Sequence, residues 1–257
     1  MIFMLAGTSD ARELAVRLQD KGHSLIATVV TESAASSLKE ANISHHIGRL
    51  HALQMVELCQ KLGCNKIVDA SHPFAEEASK EAISASNILN IPYIRYERRN
   101  EQYDHPLISA VDTYEEAALL AKQKGGTIML TTGSKTLATF TKHLLGDERI
   151  RLLARMLPNK ENMEKCDALG VVQKDIIAIQ GPFSKQLNAA LYEQYGVTLM
   201  VTKESGKVGS VDEKIEAALD LNIEIILIKR PQIAYGEVYA TFEGVEQAIQ
   251  QLGGNKQ

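Results

Sequence analysis

Five short loops in this chain of 257 residues hold the residue types that can do chemistry. The first, Gly7-Thr8-Ser9-Asp10-Ala11-Arg12, joins a glycine that lets backbone approach a ligand, two hydroxyls that donate, and an arginine one turn on. Such a set can cradle a phosphate. It has one glycine where a dinucleotide fingerprint has GxGxxG, and Ser9 or Asp10, supported by Glu13, can equally cap a helix. In the second, Ala70-Ser71-His72-Pro73-Phe74, His72 can donate a proton or hold a ligand, while Pro73 fits a first helical position and Glu76 and Glu77 a first turn. The third, Thr131-Thr132-Gly133-Ser134-Lys135, is a hydroxyl-rich anion loop without the GxxxxGK of a P-loop, so ATP hydrolysis is not indicated. The fourth, Gln180-Gly181-Pro182-Phe183-Ser184, and the fifth, Thr202-Lys203-Glu204-Ser205-Gly206 with Lys214 beyond it, are also ordinary turn chemistry when taken singly.

Other chemistries lack their carriers. There is no Ser/His/Asp order, HExxH or kinase set. His45, His46 and His51 have no metal-type spacing with carboxylates or cysteines, and Cys59, Cys64 and Cys166 form no CxxC pair, so no metal is expected. The odd cysteine count fits a reduced, cytoplasmic chain. A net charge of −4 and 5% aromatic residues with no Trp speak against nucleic acid as a partner, while leaving room for a local basic pocket. Met1–Ala6 is apolar without a basic leader, and no run approaches the roughly 20 apolar residues of a membrane span.

The elements that must hold these loops alternate between short β-rich runs and helical periods, as in parallel α/β architecture. Strands are predicted at 2–6, 24–30, 43–47, 66–70 and 92–95, with helices at 11–22, 53–62 and 74–87 between them. Residues 98–105 are polar and read as a connection. A capping box at Thr113 and Glu116 opens a second unit, with strands at 128–131, 150–154, 176–179, 198–202, 224–228 and 238–241. Ser210 and Glu213 form another such box, and a helix around 245–252 closes the chain. Met4-Leu5-Ala6-Gly7-Thr8-Ser9 is similar to Met129-Leu130-Thr131-Thr132-Gly133-Ser134, which supports two similar halves. The expectation is therefore two parallel-sheet α/β (Rossmann-like) domains, 1–112 and 113–257, with a cleft between them. In such sheets ligands bind beyond the carboxyl ends of the strands, where all five loops fall.

Together the loops resemble the precorrin-6A reductase family of corrin-ring (vitamin B12) biosynthesis. The resemblance runs in order through Gly7–Arg12, Asp69-Ala70-Ser71-His72-Pro73-Phe74-Ala75, Pro92-Tyr93-Ile94-Arg95-Tyr96-Glu97-Arg98, Thr132–Lys135, Arg155-Met156-Leu157-Pro158, Gln180–Ser184, Val201–Gly206 and Arg230-Pro231. Ser71 stands where Thr is expected, and Glu204 where Asp is familiar. The resemblance implies reduction of one carbon–carbon double bond of precorrin-6A, or of its cobalt form, to the 6B form, with NADPH or NADH as hydride donor. With that cofactor in view, we expect Gly7, Thr8, Ser9 and Arg12 to hold it, with Thr132, Gly133, Ser134 and Lys135 as a second contact. A polycarboxylate tetrapyrrole would meet Phe74, Arg155, Gln180, Gly181, Pro182, Phe183, Ser184, Glu204, Ser205, Gly206, Lys214 and Arg230, with His72 or Lys203 donating the proton, or solvent as the alternative donor. The rival reading is a non-catalytic two-domain binding protein for an anionic metabolite.

Overall fold

A computed structural model of the chain describes residues 1–98, 104–204 and 212–254. The chain divides into two compact units, one of Met1–Arg99 with Pro231–Gln257 and one of Asn100–Arg230. In the first, β1 (Ile2–Leu5), β2 (Leu25–Val29), β3 (His45–Ile47), β4 (Lys66–Asp69) and β5 (Tyr93–Tyr96) alternate with α1 (Ser9–Asp20), α2 (Glu32–Glu40), α3 (Ala52–Leu62) and α4 (Glu76–Leu89). The second holds β6 (Ile108–Val111), α5 (Tyr114–Lys124), β7 (Gly126–Leu130), α6 (Leu137–Leu144), β8 (Ile150–Met156), α7 (Lys160–Ala168), β9 (Ile176–Ala178), α8 (Lys185–Tyr195), β10 (Leu199–Lys203), α9 (Glu213–Asp220) and β11 (Glu224–Ile228). The chain then returns to the first unit with β12 (Val238–Tyr239) and α10 (Phe242–Gly254).

Burial explains why these segments are strands and helices. All four residues of β1 and of β4 are buried, as expected for central strands covered by helices on both faces. Ala11, Leu14, Ala15 and Leu18 give α1 an apolar stripe at helical spacing against that sheet. Each large aliphatic side chain so enclosed contributes about 1.5–3 kcal/mol.

The two sheets share one topology in all but an edge strand. The first runs β12-β5-β4-β1-β2-β3 and the second β6-β11-β10-β7-β8-β9, with every pairing parallel. Apart from the edge strand β6, which precedes β7 in the chain where β12 follows β5, this is the 3-2-1-4-5-6 order of doubly wound folds, in which the strand order reverses between β1 and β4, and again between β7 and β10. Met4-Leu5 and Met129-Leu130 occupy matching places in β1 and β7, so the short internal similarity marks equivalent strands.

The division at residue 112 needs correcting in two places. Residues 108–111 form β6, a short edge strand that pairs with β11 and so belongs to the second sheet. Residues 238–239 form β12, which pairs with β5, and α10 packs beside it on the first. In the first sheet the outermost strand, β12, is separated from its partner β5 by the whole second unit, and in the second sheet β6 is separated from β11 by the length of its own unit, which a linear reading cannot see. Caps also shift. Thr8, not Ser9 or Asp10, caps α1 by accepting from Ala11 N–H at 3.1 Å. Helix α4 starts at Glu76, because Pro73 sits in a turn closed by Ala75 N–H donating to the His72 carbonyl at 2.7 Å. Asp212 caps α9, and Ser210 lies outside the described residues.

Candidate functional site

In the first unit, Gly7 lies two residues beyond β1, and its φ of +127° is open to glycine and strained for other residues. The chain turns there into the amino end of α1, so free N–H groups and the positive end of the helix dipole face one place. A pocket of about 290 Å³ opens at this point, lined by Gly7, Thr8, Ser9 and Arg12 from the first loop and by Thr31 and Ser37 around the start of α2. The polar part of its wall is hydroxyl and backbone with Arg12 as the cation, beside the apolar Ala6, Val29, Ala34 and Leu38, which suits a phosphate and the sugar beside it. Asp10 is held out of this role by an ion pair with Arg98. Glu32 is an exposed first-turn residue of α2.

At the end of β4 lies the second loop. His72 is exposed, and its Nδ1 accepts from Phe74 N–H at 3.2 Å, which leaves the ring proton on Nε2. Phe74 tilts against the imidazole at 5.9 Å between centroids. Beneath this loop lies a buried polar network that the loop-by-loop reading did not assign to the site. Asp69, fully buried, receives Ser71 N–H at 2.9 Å, Ser79 Oγ–H at 2.6 Å and Tyr93 O–H at 2.7 Å, and pairs with Arg95 at 2.9 Å. Arg95 also reaches Glu97 at 2.8 Å and lies over the Tyr235 ring at 4.8 Å. Burial alone would pull the Arg95 pKa down, but the facing Asp69 and the neighbouring Tyr235 and Glu97 hold it above its ordinary value. Burial, aided by Asp69, pushes the Tyr93 phenol up. A charge inside each of the runs Lys66–Asp69 and Tyr93–Tyr96, both destined for covered strands, was the available signal.

In the second unit the third loop repeats the device of the first. Gly133 takes φ of +79° after β7, and Thr136 Oγ donates to Thr132 Oγ at 3.2 Å. Lys203 is the last residue of β10, the strand beside β7. Burial pushes its ammonium pKa down, and the like charges of Lys214 and Lys135 add to that, so three lysines share one electropositive place. Lys214 is partly neutralised by Asp212 at 2.8 Å. Arg155, in β8, is 7% exposed; its Nη1 donates to Asn188 Oδ1 at 2.7 Å and its guanidinium faces the Phe183 ring at 4.5 Å. Desolvation lowers its pKa, outweighing the opposing pull of Tyr192 and Asp212.

Other expected ligand residues have structural partners. Glu204 is buried and accepts Arg230 N–H at 3.1 Å, with the two side chains 4.0 Å apart, so this pair holds β10 to the end of β11. Ser184 caps α8 by accepting from Leu187 N–H at 3.2 Å, after a cis Gly181–Pro182 bond and an exposed Gln180. Ser205 and Gly206 lie outside the described residues. Among the described residues no group of three or more potential metal ligands forms, and no helix is long and apolar enough to cross a membrane.

Comparison with known proteins gives the family and the fold. The family described as "Precorrin-6x reductase CbiJ/CobK" matches residues 1–253. A protein of Priestia megaterium named "Cobalt-precorrin-6A reductase" is 58% identical over 249 residues, covering 97% of this chain and 98% of its own length. One of the same name from Methanocaldococcus jannaschii is 34% identical over 257 residues, covering 99% of each. A solved structure titled "CobK precorrin-6A reductase" superposes with a TM-score of 0.79 at 24% identity, covering 98% of this chain and 96% of that one, which shows the shared fold.

Proposed function

The chain belongs to the precorrin-6x reductase family, and from that premise we propose that it reduces cobalt-precorrin-6A to the 6B form, with NADPH or NADH as hydride donor. The observation that carries the reading is the full-length identity of 58% to a cobalt-precorrin-6A reductase. The 34% relative carries the same cobalt-bearing name, which favours the metallated ring as substrate. The rival of a non-catalytic binding protein gives way to a family of reductases.

The first unit supplies a fitting place for the cofactor. Gly7, Thr8, Ser9 and Arg12 bind its phosphates, with Thr31 and Ser37 beside the ribose, in the pocket at the ends of β1 and β2. The dinucleotide, when bound, contributes the hydride. What the protein must add is orientation, exclusion of water and one proton. Thr132, Gly133, Ser134 and Lys135 form a second anion loop by the same backbone device. Lys203, Lys214 and Arg155 meet carboxylates of the tetrapyrrole, with Phe183 beside Arg155 and Phe74 against the ring edge. The Lys203 ammonium donates the proton, and the Nε2–H of His72 is a hydrogen-bond donor to the bound ligand. The three free cysteines suit a reducing cytoplasm.

Mixing the protein with cobalt-precorrin-6A and following loss of the reduced-nicotinamide absorbance tests the reading; no substrate-dependent oxidation of either cofactor overturns it. Arg12→Ala should raise KM for the cofactor on the order of tenfold with kcat nearly unchanged, since one charge-assisted contact of uniform binding is lost. A rise confined to the substrate KM would move Arg12 to the other ligand.

A further inference from the structure

The Asp69 network joins four segments of the first unit at one carboxylate. Oδ1 receives Ser71 N–H and Oδ2 receives Ser79 of α4 and Tyr93 of β5, while Arg95 closes the other side. Arg95 then reaches forward, with Nη1 donating to Ser71 Oγ at 3.2 Å. Ser71 is thereby held twice, by its backbone through Asp69 and by its side chain through Arg95, and it is the residue immediately before His72. The segment after the second unit joins in, since Glu237 carbonyl accepts Arg95 N–H at 2.9 Å and Tyr235 covers the guanidinium. All of this lies at the carboxyl end of β4, where the strand order of the sheet reverses.

A fully buried charge pair with this many satisfied bonds is costly to build and weak as a source of stability, yet it fixes geometry well. We propose that Asp69 and Arg95 are positioning residues for the reduction: they fix Ser71 and so hold His72 with Nδ1 toward Phe74 N–H and Nε2–H toward the ligand. This rests on the functional reading above, and extends it from the groups that meet ligand to the pair that aims one of them. Neither Asp69 nor Arg95 needs to touch substrate, since both are fully buried.

The decisive variant is Ser71→Ala, which removes the hydroxyl reached by Arg95 and leaves the buried pair in place; Ser71→Thr restores a hydroxyl. Ser71→Ala should lower kcat about ten- to a hundredfold, the cost of a small misplacement, with the cofactor KM unchanged, and Ser71→Thr should recover most of it. Nitrogen-15 spectra of histidine-labelled protein above the imidazole pKa supply a readout independent of turnover: wild-type His72 should show the Nε2–H tautomer, and Ser71→Ala a mixture. Asp69→Asn should show the same relaxation where it folds. Unchanged kcat and an unchanged tautomer in Ser71→Ala, with wild-type turnover intact, overturn the proposal alone. A tautomer change without a kcat change overturns the link to the reduction, and a wild-type protein that oxidises no cofactor overturns the functional reading beneath it.

Discussion

Replacing Lys203 by methionine should lower kcat by about 10²–10⁴-fold, the usual worth of a positioned proton donor, with a much smaller effect on thermal stability. Methionine keeps most of the half-buried apolar stem and removes the ammonium. The pH profile is the sharper test. Burial, then Lys214 and Lys135, depress the Lys203 pKa, so the group loses its proton at lower pH than an ordinary lysine. The ammonium is the active form, so kcat should fall as pH rises through that depressed value. Lys135→Ala removes one of the like charges and should move this alkaline limb to higher pH. A Lys203→Met protein with normal kcat and a raised substrate KM would make Lys203 a carboxylate ligand and assign the proton to another donor.

How much of this was visible beforehand depended on whether the signal was local. The Gly7 and Gly133 loops were legible because a glycine followed by hydroxyls after an apolar run is a short-range pattern, and both glycines take the positive φ that the turn requires. Strand β11 was legible to the residue, 224–228, since five apolar-rich residues between a helix and a proline leave little freedom. A strand at 238–241 was legible but its sheet was not, because β12 pairs with β5 across the whole second unit; β6 was not predicted, because it is four residues long and its partner β11 lies more than a hundred residues on.

The site followed the same rule. Lys203 and Arg155 stand out as cations at strand ends, and the structure gives both the depressed pKa of burial. Glu204 and Arg230 look equally available in one dimension, yet they are 26 residues apart in sequence and bonded to each other. The Asp69 network is not legible as a site, because its polar groups face one another rather than a ligand. A carboxylate that serves four protein donors shows itself only when strands β4 and β5 are laid side by side.

That pair carries the largest stability effect. Arg95→Met should cost about 3–5 kcal/mol, read as a lower denaturant midpoint, because it strands a carboxylate that has no access to water. Two features place the loss toward the lower end of that range. Asp69 keeps the Ser71, Ser79 and Tyr93 donors, and Glu97, at 14% side-chain exposure, can turn part of its charge toward solvent. The lost stacking with Tyr235 adds back roughly 1 kcal/mol. Arg95→Lys should fall between, since a single ammonium cannot serve Asp69, Ser71 and Glu97 as the planar fork does. The double variant Asp69→Asn, Arg95→Met removes the fully buried carboxylate charge that Arg95→Met strands and should be more stable than Arg95→Met alone. If instead the two single losses simply add, the pair is not coupled, and Arg95 is retained for its packing under Tyr235 rather than for the charge it shares with Asp69.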